Sequence, residues 1–330
     1  MQVRKITFFF IALLVIFFAG TTTTVHATIG DNDISFEVNP EIPGPHQQVT
    51  ITATSYSVDL NKAQISWKEN NVPKKSATGA KSYTFTTGAV GTISTIDIVI
   101  SVPGEADYKR RILINPGTID LLVQALDAYV PPFYKGRAIP PQESLVRVVA
   151  VPAIKQGTIT LSPADLVFTW KRDNSVVGDF SGYGQNAYTF TTNIYKASED
   201  ISVIADSVVG SYEAQGVVTV TPRSPTLLFY AYNPLVGTLW NKSLGTNTQI
   251  RDTAFGILAE PYFFSPKKAL ATDLSFAWKL DDTTVDTPVR KNRILLTRDA
   301  KTNGTTNISL TLTQTKKMFQ EITKNLTVTY

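Results

Sequence analysis

The chain has no cysteine and only two histidines in 330 residues. The first absence excludes disulfides and cysteine nucleophiles, and the second leaves little material for His-rich zinc sites or nucleophile–base pairs. Charge is sparse too: Asp, Glu, Lys and Arg make up 18% of the chain. A nucleic-acid binder concentrates cations on one face or stripe; here they are scattered singly, so no nucleic-acid partner is expected. The one long apolar run, Ile6 to Ala19, has 14 residues, short of the roughly 20 that a spanning helix needs.

Arg4 and Lys5 precede that run and Val25-His26-Ala27 follows it, which is the three-part pattern of a secretory signal peptide. Cleavage after Ala27 is expected, with no cysteine nearby for a lipid anchor. The protein is then exported, to the periplasm, the cell surface or the medium, and meets a membrane only through this segment if it stays uncleaved. Loss of Arg4 and Lys5 leaves 29 Lys plus Arg against 27 Asp plus Glu, a nearly neutral mature chain.

What the sequence does contain is a repeat. Trp-Lys closes three alternating apolar runs, at Trp67-Lys68, Trp170-Lys171 and Trp278-Lys279. Successive tryptophans lie 103 and 108 residues apart, about one small all-β domain per interval. Ile65 and Trp67, Phe168 and Trp170, and Phe276 and Trp278 point one way along a strand of period two, and their lysines the other. Trp67, Trp170 and Trp278 are therefore expected in three cores. Polar turns follow, at Glu69-Asn70-Asn71, Arg172-Asp173-Asn174 and Asp281-Asp282-Thr283, where Asn and Asp tolerate the backbone that reverses a strand.

The register continues through Tyr83-Thr84-Phe85-Thr86-Thr87, Tyr188-Thr189-Phe190-Thr191-Thr192 and the weaker Ile294-Leu295-Leu296-Thr297. With two strands before each tryptophan and two near each domain's end, six to seven strands per domain are predicted. Ile119 to Ala128 is read as a strand by analogy with its siblings. The divisions expected are a signal peptide at 1–27 and domains at 28–116, 117–223 and 224–330, with Asn115-Pro116-Gly117 and Thr221-Pro222-Arg223-Ser224-Pro225 as short linkers stiffened by proline.

This strand count, with a tryptophan on the third repeat strand and regular turn signals, resembles the immunoglobulin-like (Ig-like) β-sandwich. More narrowly it is similar to exported multi-domain Ig-like proteins of bacteria. The resemblance implies an all-β fold of three tandem sandwiches and carries no catalytic residues with it.

Chemistry is thinly supplied. His46 lies in the loop Pro43-Gly44-Pro45-His46 and reads as solvated. The carboxylate pairs Asp31/Asp33, Glu105/Asp107, Glu199/Asp200 and Asp281/Asp282 fall in predicted turns, where short acids satisfy local donors, rather than facing each other as in a glycosidase. Asp31, Asp33 and Glu105, or Asp200 and Asp206, are too dispersed for a calcium loop. No catalytic residue, metal or cofactor is expected.

Two stretches do not fit the repeat: 129–137, Tyr129-Val130-Pro131-Pro132-Phe133-Tyr134-Lys135-Gly136-Arg137, and 260–268, which contains Tyr262, Phe263 and Phe264. Both are placed between the first and second strands of their domains. Tyr129, Phe133, Tyr134, Lys135 and Arg137, with Tyr262, Phe263 and Phe264, are the candidate binding residues, since aromatics give large contact area at low entropic cost. The competing expectation is that they cover the edges of their own sandwiches. The leading functional expectation is a non-enzymatic spacer or binding array that meets a protein or glycan at the cell envelope. Alternatives are an accessory subunit of a surface filament or secretion apparatus, and a carbohydrate-active enzyme or its binding module.

Overall fold

The computed structural model describes residues 33–209, 212–287, 290–299 and 301–330; the expected signal peptide and Asp31 lie outside them. The described residues form an all-β chain of three tandem Ig-like sandwiches, each with one core cluster. No helix among them is long and apolar enough to cross a membrane.

The first sandwich contains β1 (Ile34–Asn39), β2 (Gln48–Ser55), β3 (Gln64–Glu69), β4 (Val72–Thr78), β5 (Ser82–Thr86), β6 (Ser94–Ser101) and β7 (Tyr108–Ile114). A three-stranded sheet, β1-β2-β5, packs on a four-stranded sheet, β4-β3-β6-β7, and all neighbours are antiparallel. The outer strand β4 is exposed throughout, and its Pro73, Lys74 and Lys75 protect it from pairing with another chain.

The second sandwich repeats the plan with β8 (Thr118–Ala125), β9 (Leu145–Ala153), the small hairpin β10 (Lys155–Gln156) and β11 (Ile159–Thr160), β12 (Leu166–Arg172), β13 (Ser175–Val176), β14 (Gly182–Tyr183), β15 (Ala187–Thr191), β16 (Glu199–Ser207) and β17 (Glu213–Val220). Its sheets run β15-β9-β8 and β13-β12-β16-β17.

The third sandwich has β18 (Thr226–Asn233), β19 (Gly237–Ser243), β20 (Asn247–Gln249), β21 (Ala254–Tyr262), β22 (Leu274–Leu280), β23 (Thr283–Val285), β24 (Arg293–Thr297), β25 (Thr305–Gln314) and β26 (Glu321–Thr329). Two strands are extra. β19 adds to the outside of β18, and β20 pairs in parallel with β26. The insertion between first and second repeat strands is thus 234–253 here. The aromatic stretch 260–268 instead begins inside β21 and leads towards β22, so its placement between the first and second strands is corrected. The reason is that β21 is buried on both faces, and its unbroken apolar run gives no period-two signal to mark its end.

One device recurs three times. Trp67, Trp170 and Trp278 are fully buried, and each indole N–H donates to a backbone carbonyl ahead of the fifth repeat strand: Ala80 at 2.7 Å, Gln185 at 2.8 Å and Lys291 at 2.8 Å. Rings from that strand contact two of them, Tyr83 stacked on Trp67 and Tyr188 tilted against Trp170, with centroids 5.8 and 5.9 Å apart. In the third sandwich Ile294 takes this place and Phe229 of β18 supplies the ring, at 5.7 Å.

The turn after each tryptophan is equally regular. Asn70 and Asn71, Asp173 and Asn174, and Asp281 and Asp282 all have positive φ, as a two-residue hairpin turn requires. The side chain of the first residue of each pair accepts the backbone N–H of Thr95, Asp200 or Asn307 at 2.8–2.9 Å, tying the turn to the sixth repeat strand. The reading of the acids as turn residues is corrected at Glu199 and Asp200, both of which stand in β16; Glu199 is the buried one. It opens β16, is 1% exposed and accepts the Arg172 Nε–H at 2.9 Å, because burial demands a paired charge.

Replacing Trp170 by Phe leaves the Gln185 carbonyl without its donor and opens a cavity. The expected cost is about 2–4 kcal/mol. Denaturant unfolding followed domain by domain checks it: the second sandwich loses stability and the first does not.

Candidate functional site

The two stretches outside the repeat meet each other. The segment between β8 and β9 runs along the third sandwich, where Tyr129 N–H donates to the Phe264 carbonyl at 2.8 Å and Tyr129 Oη–H to Glu260 Oε1 at 2.5 Å. Further along the same segment, Glu143 Oε2 accepts the Met318 N–H at 2.7 Å and its carbonyl accepts Lys317 Nζ–H at 2.6 Å, while the Gln142 carbonyl accepts Gln320 Nε2–H at 2.5 Å. The linker is held as well, by Arg223 N–H to the Pro140 carbonyl at 2.9 Å. The joint between the first two sandwiches carries fewer such ties, among them Gln215 Nε2–H to the Ile42 carbonyl and Asn115 Nδ2–H to the Lys155 carbonyl, both at 3.2 Å.

The outer face of the β19-β18-β21-β24 sheet is unusual for a sandwich. The register places Tyr230 opposite Leu258, Leu228 opposite Glu260 and Tyr232 opposite Gly256, and Tyr230, Leu258 and Glu260 are buried although they point away from the core. Trp240 of β19 covers Tyr230 with centroids 5.0 Å apart, and Tyr230 Oη shares a hydrogen bond with Tyr262 Oη at 2.9 Å. Gly256 makes this face possible, since a Cβ there would come within 2.3 Å of the Tyr232 carbonyl oxygen.

The candidate binding residues therefore divide. Phe264 is fully buried in the third core, and Tyr129 is half-buried in the joint. Tyr262 and Phe263 are half-buried and in ring contact, with Phe263 at positive φ. Phe133 is 76% exposed, also at positive φ, and its ring lies 6.0 Å from that of Trp240. Tyr134 is 38% exposed, and Lys135 and Arg137 are exposed beside it. Arg137 and Tyr134 border a groove of about 360 Å³ that also includes Thr219 and Arg223. Phe133 and Trp240 thus form an aromatic pair on the outside of the joint, and Tyr134 lines the adjoining groove.

Three residues central to this region were outside the sequence expectation. Trp240 is the fourth tryptophan and has no counterpart in the repeat, which was its available signal. Glu260 stands alone in the apolar run from Ile257 to Phe264. Glu143 carries no signal, because its partners lie some 175 residues away.

Burial raises the Glu260 carboxyl from 4.5 to about 7, against the opposing hydrogen bond from Tyr129 and the charge of Arg293. Burial and the neighbouring Glu260 push the Tyr129 hydroxyl up, so it stays a donor.

No family model matches the chain, and no curated protein matches it. Among solved structures it is similar to fibronectin(III)-like modules of Clostridium thermocellum CbhA, at 14% identity and a TM-score of 0.28 over 57% of this chain and 94% of that one. It is also similar to three N-terminal domains of the bacteriophage RB49 Hoc protein, at 8% identity and 0.27 over 90% and 97%. A third similar structure is the central fibronectin-III array of RIM-binding protein, at 10% identity and 0.29 over 89% and 95%.

Because the Glu260 value is raised in the fold, the native state holds the proton more tightly between about 4.5 and 7. Stability from this group is full below the unfolded value and is lost as pH rises through the folded one. Thermal unfolding of the third sandwich should weaken by about 2–3 kcal/mol between those limits. Glu260→Gln should flatten that dependence in melts recorded across the same range.

Proposed function

We propose that the protein is a non-enzymatic exported array that holds a recognition surface at a fixed angle, acting as a spacer and binding module at the cell envelope. The observation that carries this reading is the interlock of the second and third sandwiches. A prolyl linker alone stiffens a joint, but Tyr129, Gln142 and Glu143 add directional hydrogen bonds to a neighbouring domain's backbone and side chains. Domain pairs in one chain move relative to each other by default, and these bonds oppose that motion, which supports a built geometry.

The patch of Phe133 and Trp240, with Tyr134 in the adjoining groove and Lys135 and Arg137 following in the chain, is the surface the array displays. An exposed bulky ring at positive φ is strained, and strain retained at an exposed aromatic supports a contact role. Its partner is a polypeptide or glycan of the envelope, which meets aromatic surface flanked by cations.

Spin labels on the second and third sandwiches test the interlock through pulsed electron resonance distances. A single narrow distribution is expected, broadening when Tyr129→Phe and Glu143→Ala are combined. A broad distribution in the unaltered chain would sink the rigid-array reading. For the displayed surface, Phe133→Ala, at a position 76% exposed, should weaken retention on envelope material severalfold at an unchanged melting temperature; undiminished retention removes the patch as the contact.

A further inference from the structure

The outer face of the third sandwich is open at the Tyr232 end of β18. There a cleft of about 530 Å³ is lined by Tyr232, Pro234, Val285, Asp286, Thr287, Arg290, Arg293, Ile294 and Leu295. Its size falls within the range of small-molecule sites, roughly 300–1,000 Å³. Three observations describe what fits it.

First, the Arg293 guanidinium lies over the Tyr232 ring, 4.1 Å from its centroid. Stacking of this kind fixes the plane of the guanidinium and leaves its edge for an acceptor. Second, Arg293 Nε is buried and has no hydrogen-bond partner. An unmade bond at a buried donor is costly, so a shift of the half-buried Arg293 side chain that brings its guanidinium to an incoming oxygen is favoured. Third, two arginines stand against one aspartate among the lining residues, with the buried Glu260 carboxyl acting on Arg293 from behind, a balance that favours one negative charge rather than several. Leu295, Val285 and Pro234 supply apolar wall, which gives nothing to a bare hydrated anion.

We propose that this cleft binds a small amphiphilic monocarboxylate, with the apolar body against Tyr232, Pro234 and Leu295 and the carboxylate on Arg293 and Arg290. Charge-assisted pairing with guanidinium is the strong contact, and the walls select against small inorganic anions. The site is separate from the Phe133 patch and does not depend on a partner of the array.

The test is calorimetric titration of the full chain with 4-phenylbutyrate, indole-3-acetate and decanoate, each beside its neutral alcohol, and with inorganic phosphate. At least one acid should bind saturably with a Kd below about 1 mM, at least about tenfold more tightly than its alcohol. Phosphate should show no saturable heat. Arg293→Gln should bring the acid down to the affinity of the alcohol. Should that variant fold poorly, Arg290→Gln, at an exposed position, is expected to weaken the acid severalfold at an unchanged melting temperature, and Leu295→Asp to abolish binding. The proposal is overturned if no acid saturates, if acid and alcohol bind alike, if phosphate competes equally, or if folded variants bind as the unaltered chain does.

Discussion

A buried indole N–H that must find an acceptor organises each sandwich. A tryptophan in a dry core costs stability unless that N–H is bonded, and the chain offers the same acceptor three times, a carbonyl just ahead of the fifth repeat strand. The bond links the two sheets, because the tryptophan stands in one and the strand it pins begins the edge of the other. In a chain without cysteine this contact, rather than a covalent bridge, fixes how the sheets face each other. The Asn and Asp turns then hold the tryptophan strand to the sixth repeat strand, so the core and its nearest hairpin share one geometry in all three copies.

Once the cores are settled, the differences between copies fall outside them. The first sandwich keeps a polar outer face on its β1-β2-β5 sheet, with Thr50 bonded to Thr84 at 2.9 Å. The third replaces that polarity with Tyr230, Leu258 and Tyr262, and such a surface requires cover. At one end the cover comes from the second sandwich, through Tyr129; at the edge it comes from Trp240. The added strand β19 and the segment between β8 and β9 are therefore two parts of one solution. Glu260 is the cost of that solution, a carboxyl taken out of water with a tyrosine for its partner.

This division explains what the sequence could disclose. Three sandwiches, three core tryptophans and the hairpin turns depend on local period and on short-range side-chain chemistry, and both are written within a few residues of one another. The joint is different: Tyr129 and Glu260 are 131 residues apart, and neither changes its surroundings in a way that local pattern records. The stretches 129–137 and 260–268 stood out because they broke the repeat, yet nothing local says that each is the other's partner. β19 escaped notice because an edge strand such as Gly237–Ser243, with Asn241 and Lys242 facing water, reads as a polar connection. The end of β21 escaped because a strand buried on both faces has no alternation to interrupt.

The character of the joint also decides how it holds its angle. An apolar interface is non-directional, and two sandwiches joined by one slide with little penalty. Here several contacts end on backbone groups: the carbonyls of Phe264, Gln142 and Glu143 and the amide of Met318. Hydrogen bonds weaken steeply once bent or stretched, so their combined geometry admits a narrow range of orientations. Backbone partners also carry the position of the segment they belong to, the stretch that follows β21 through Phe264 and the β25–β26 turn through Met318. The orientation of the third sandwich is thereby referred to two separate places on its own frame, and two fixed places constrain rotation where one would leave a pivot. Phe133 and Trp240 come from different sandwiches, and their ring contact depends on that geometry being kept.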